Sequence, residues 1–116
     1  MIISPVNKSQ QQQEENSHME LTKEAKGSSL TISLDGRLDT TTAPQLEAEI
    51  TGKLDGVTDL TIDMSKLVYV SSAGLRVLLK AQKLMNKQGK MTVKNANQEI
   101  KEIFEVTGFD ELLNIE

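Results

Sequence analysis

Leu60-Thr61-Ile62-Asp63-Met64-Ser65-Lys66-Leu67-Val68-Tyr69-Val70-Ser71-Ser72-Ala73-Gly74-Leu75-Arg76-Val77-Leu78-Leu79 changes its hydrophobic period part-way along. Leu60, Ile62 and Met64 alternate with Thr61 and Asp63, which predicts a half-buried strand. Ser65 to Val70 reads as a loop, and Ser71-Ser72-Ala73-Gly74 opens a helix over Leu75 to Asn86 that Gly89 ends. Gly74, Val77, Leu78, Ala81 and Leu84 fall on one face of that helix, turned toward a sheet, and Gly74 permits close approach of helix to strand. The opposite face carries Arg76, Lys80, Lys83 and Lys87. Such a basic ridge is either an ordinary solvated face or an electrostatic contact for an acidic partner.

Upstream, Leu30, Ile32 and Leu34 alternate with Thr31 and Ser33, and Glu20 to Ala25 forms a weaker strand. Lys26-Gly27-Ser28-Ser29 supplies the turn of an antiparallel hairpin, after which Asp35-Gly36-Arg37-Leu38-Asp39 is expected to leave the sheet. Leu46, Ile50 and Leu54 predict a helix with Gly56 just past its end. Pro44 lacks a backbone N–H and fits only the first turn, so the N-cap is expected at Thr41, Thr42 or Ala43, with Asp39 too early. A helix between two such strands implies a right-handed parallel crossover. Downstream, Met91 and Val93 predict a strand, and Ile100, Ile103 and Phe104 one side of a last helix closed by Gly108. Residues 1–18, rich in Gln, Glu and Ser, are expected to be a disordered polar tail. Residues 19–116 then make one α/β domain, a small mixed sheet with amphipathic helices packed on it.

Composition removes several function classes. A formal net charge of -4, with no Trp, one Tyr and two Phe, disfavours counterion-driven DNA binding and base stacking, so no direct nucleic-acid contact is expected. No apolar run reaches a membrane span, no secretory signal opens the chain, and the absence of cysteine fits a reducing compartment, so a cytoplasmic protein is expected. His18, the single histidine, falls in the tail, so a Ser/His/Asp arrangement cannot form in the domain. Asp35, Asp39 and Asp63 lack the spacing of a calcium loop, and no Walker A or Rossmann glycine pattern occurs. The expectation is a protein that is not an enzyme and carries neither metal nor cofactor.

Ser71 and Ser72 stand where the loop rolls into the helix. A serine there caps the first turn by accepting a backbone N–H, and one serine suffices. A phosphate is also physically tolerable at that place, because a helix N-terminus favours negative charge.

The stretch from Leu60 to Leu79, with Gly36-Arg37-Leu38-Asp39, Thr42-Ala43 and Leu46 before it and Ile103-Phe104 and Thr107-Gly108-Phe109 after it, resembles the STAS domain of bacterial anti-sigma factor antagonists over residues 19–115. The resemblance implies that a short Asp-Ser-Ser-Gly or Asp-Ser-Thr-Gly type motif opens the helix and that its serine is phosphorylated by a partner kinase. The matching residue is Ser72, with Ser71 as the alternative; here Ser71 stands where the family often has Asp, and Ala73 where it often has Ser or Thr. Asp39 and Asp63 match family positions beside the motif, although local hydrogen bonding to turn backbone explains them as well. Partner contacts are accordingly expected at Asp39, Asp63, Ser71, Ser72, Ala73, Gly74 and Arg76. The implied function is to bind, when unphosphorylated, an anti-sigma factor with serine kinase activity, releasing a sigma factor, with a PP2C-type phosphatase restoring the active form. The alternative is a constitutive accessory subunit of a lipid-transport ATPase. A monomer is expected.

Overall fold

The computed structural model describes residues 18–116. The order is β1 (Met19–Lys26), β2 (Ser29–Leu38), α1 (Ala43–Ile50), β3 (Asp59–Val70), α2 (Ser72–Asn86), β4 (Lys90–Lys94) and α3 (Gln98–Thr107), followed by a 3-10 turn at Phe109–Glu111. The sheet has the order β1-β2-β3-β4. β1 and β2 pair antiparallel as the expected hairpin, and β2–β3 and β3–β4 are parallel, as crossovers through α1 and α2 require. Alternation puts Leu30, Ile32, Leu34, Leu60, Ile62 and Met64 into one core with Leu46, Ile50, Leu78, Met85, Ile100 and Phe104 from the helices. Among the described residues no helix is long and apolar enough to cross a membrane.

Several boundaries depart from the sequence-based expectation. The segment Asp35–Leu38 does not leave the sheet, and Ser65–Val70 is strand rather than loop. The register between β2 and β3 shifts twice, between Ser33 and Asp35 and between Gly36 and Arg37, so that Leu67 and Val70 become the buried positions after Met64. Such irregularities break the period-2 signal while pairing continues. α1 stops at Ile50, although Leu54 is still buried in the turns that follow. The spacing of four continued past the helix because both sites face the same core.

α2 begins at Ser72, ahead of the expected Leu75, and is capped at its far end by Lys87. Gly89 serves the start of β4, where a β-carbon would collide with the Thr58 carbonyl oxygen. Gly108, at φ 80°, closes α3 in the left-handed conformation as expected. The expected tail at residues 1–17 lies outside the described residues. His18, assigned with it, joins the sheet margin, its carbonyl accepting the Arg37 N–H at 3.0 Å.

Candidate functional site

The parallel pairing of β2 and β3 ends at Leu38 opposite Val70, so Asp39 and Ser71 leave adjacent strand ends side by side. Each organises the helix that follows it. Ser71 has an extended backbone (φ -101°, ψ 177°); its N–H donates to the Leu38 carbonyl at 2.9 Å and its own carbonyl accepts the Leu75 N–H at 2.9 Å. Its Oγ accepts the Gly74 N–H at 3.4 Å, which makes Ser71 the N-cap of α2. Ser72 is thereby the first helical residue, exposed, and its side chain takes no part in the cap. Gly74 is buried against Leu38, fixing the entry of α2 over the end of β2.

Asp39 is only 8% exposed. Its Oδ1 accepts the N–H groups of Thr41 at 3.0 Å and Thr42 at 3.2 Å, and its carbonyl accepts the Ala43 N–H at 2.7 Å. Thr42 is the N-cap of α1, within the expected range, but its side chain makes no capping bond. Its hydroxyl donates to the Arg37 carbonyl at 2.7 Å and accepts the Asp39 N–H at 2.9 Å. Asp39, though too early to be the cap itself, supplies the acceptor because the chain turns once before Pro44. The Arg37 guanidinium lies 3.5 Å from Asp39 Oδ2 and 4.4 Å over the Tyr69 ring.

Arg76 is exposed one turn beyond Ser72 and, with Thr40, Pro44, Ala73, Val77 and Lys80, lines a groove of about 340 Å³ between α1 and α2. The fold therefore gathers Asp39, Ser71, Ser72, Ala73, Gly74 and Arg76 at one end of the sheet.

Asp63 is not brought to that end by any contact. It pairs with Ser33 and Lys94 in the body of the sheet, seven residues before Val70, which at about 3.3 Å per residue is roughly 20 Å away. Its carboxylate accepts hydrogen bonds from Asn95 Nδ2 at 3.1 Å and the Ser65 N–H at 3.0 Å. The Asn95 bond is the main cause that holds the Asp63 pKa below its ordinary value; burial opposes it, and Ser65 and the charge of Lys66 add to the lowering.

Sequence reasoning missed Val68 and Tyr69, 57% and 36% exposed beside the motif. Their signal was two apolar residues in an apparent loop, and only the shifted register turns them outward. Among the described residues no group of three or more His, Cys, Asp or Glu is arranged to hold a metal.

A family model described as "Mlab, STAS domain" matches residues 21–114. The chain belongs to the STAS-domain family. BtrV of Bordetella bronchiseptica, a provisionally named anti-sigma factor antagonist, is 38% identical over 93 residues, covering 78% of this chain and 80% of its own. The crystal structure of an anti-sigma factor antagonist from Mycobacterium paratuberculosis shares the fold with a TM-score of 0.76 at 24% identity, covering 84% of this chain and 85% of that one. The Bacillus cell fate determinant SpoIIAA, in its phosphorylated form, does so with a TM-score of 0.67 at 19% identity over 84% and 91% of the two chains.

Proposed function

We propose that this STAS domain is an anti-sigma factor antagonist which, unphosphorylated, binds an anti-sigma factor with serine kinase activity and releases a sigma factor, and which phosphorylation of Ser72 switches off. The observation that carries the reading is the division of labour between the two serines. Ser71 caps α2, so Ser72 stands exposed at the end of the sheet with its hydroxyl outside the cap. The relatives named above support it, being antagonists by name, and one protein of the same fold is known in a phosphorylated form. Those names favour the switch over the accessory subunit of a transporter. The same reading makes the protein a cytoplasmic, non-enzymatic monomer, reset by a PP2C-type phosphatase. Its contact surface is Asp39, Ser71, Ser72, Ala73, Gly74 and Arg76; Asp63, expected among the partner contacts, pairs with Ser33 and Lys94 away from that end and is left out of it.

The charge explains the switch. A phosphate of about -1.5 to -2 at a helix N-terminus is favoured by the free N–H groups, so the isolated domain stays folded. Within an interface beside the Asp39 carboxylate it must be desolvated, and a buried unpaired charge costs roughly 3–5 kcal/mol. At about 1.4 kcal/mol per tenfold, that is on the order of a hundredfold to several-thousandfold in affinity.

Calorimetry against the anti-sigma factor that the wild-type chain retains from its native cell tests this, with circular dichroism as the folding control. Ser72→Ala is expected to bind and resist phosphorylation, and Ser72→Asp to lose much of the affinity. Tight binding by Ser72→Asp, or kinase labelling of Ser71, would overturn the mechanism.

A further inference from the structure

The outer face of α2 carries charge of one sign. The helix contains no Asp or Glu, and Arg76, Lys80 and Lys83, followed by Lys87 at the cap, form its outward row. Lys80 is paired with Glu47 at 2.8 Å, whereas Arg76, Lys83 and Lys87 make no ion pair among the described residues. Leu79 and Leu84, half-buried, lie between these cations, and together they line a shallow trough of about 360 Å³. Four of the chain's thirteen Lys and Arg residues are gathered here in a protein of net charge -4. A helix face that is merely solvated gains from mixed charges at i,i+4, and like charges at that spacing destabilise it. The repulsion is relieved when an opposite charge docks.

We propose that this strip is a docking surface for an acidic amphipathic helix of the anti-sigma factor, which sets Asp and Glu side chains against the cation row and apolar side chains against Leu79 and Leu84. The inference rests on the reading of this chain as an anti-sigma factor antagonist and adds a second contact to it. From Arg76 to Lys87 the row spans roughly 16 Å, so it matches about three turns of partner helix. Ser72 heads the same helix four residues before Arg76, so a phosphate there also weakens the field that attracts the acidic helix.

The test is the association rate of the full chain with the anti-sigma factor retained by the wild type. Lys83 and Lys87 lie roughly 17 and 22 Å from Ser72 along the helix, beyond the Debye length of about 8 Å at physiological salt. The double variant Lys83→Glu/Lys87→Glu therefore leaves the motif contact alone. It is expected to lower the on-rate by about tenfold or more at low salt, with the difference closing toward 1 M salt. Leu84→Ala is expected to raise the off-rate, and both variants to keep the wild-type circular dichroism spectrum.

An on-rate within about twofold of wild type, while Ser72→Asp still loses much of the affinity, overturns the docking strip and leaves the switch standing. Tight binding by Ser72→Asp instead overturns the switch. If the wild-type chain sediments with phosphatidylserine vesicles and the double charge reversal abolishes that, the strip is a membrane contact and the proposal is wrong.

Discussion

Gly74 and Leu38 touch backbone to side chain: a β-carbon on Gly74 would stand 2.7 Å from Leu38 Cγ and 2.9 Å from the Leu38 carbonyl oxygen. Leu38 is fully buried and its carbonyl already accepts the Ser71 N–H, so it has little room to yield. Gly74→Ala is therefore expected to destabilise the domain by about 1–3 kcal/mol despite its better helix propensity. Urea denaturation measures this; stability equal to or above wild type would show that α2 can lift from β2 freely.

The two serines are expected to separate in a stability assay. Ser71→Ala removes the cap of α2, and because that bond is long at 3.4 Å the loss should be about 0.5–1 kcal/mol, the low end for such caps. Ser72→Ala, at an exposed position outside the cap, should stay within about 0.5 kcal/mol of wild type. Thermal melts of both variants check the assignment, and the reverse ranking would make Ser72 the cap.

Asp39 holds the turn into α1 through the amides of Thr41 and Thr42. Asp39→Ala leaves those donors without their acceptor in a buried place and is expected to cost about 1–3 kcal/mol, while Asp39→Asn, which keeps an acceptor oxygen, costs less. Equal stability of the two variants in urea would show that charge, not the hydrogen bonds, is what Asp39 supplies.

Asp63 links pH to the sheet. Its folded pKa is depressed, first by the Asn95 hydrogen bond, so its contribution to stability is complete above the unfolded aspartate value of about 3.9 and is lost as pH falls through the lower folded value. Asn95→Ala is expected to raise the Asp63 pKa toward the ordinary range and to lessen the loss of stability in acid. Carbon-detected NMR titration of the Asp63 carboxyl reads this directly, and an unmoved pKa would mean that Ser65 and Lys66 suffice.

The sequence by itself determined the elements and the family. Alternation at Leu30, Ile32 and Leu34 and at Leu60, Ile62 and Met64 and helical spacing after Gly74 are local signals, written by which side chains must leave water, and the start at Pro44 and the stop at Gly108 are local backbone signals. The segment from Ser71 to Gly74 was legible as a helix start from its serines, and as a phosphorylation motif through the resemblance to the family. What only the tertiary structure decided is long-range. The register shifts that carry β3 to Val70 depend on β2 as a partner, and their effect on Leu67, Val68 and Tyr69 does not repeat with any period along the chain. Which serine caps and which stays outside the cap depends on the Ser71 N–H reaching Leu38, a residue thirty-three positions earlier in sequence. The separation of Asp63 from Asp39 has the same origin, because nearness to the motif is set by where along paired strands each carboxylate falls, and pairing is a property of the folded sheet.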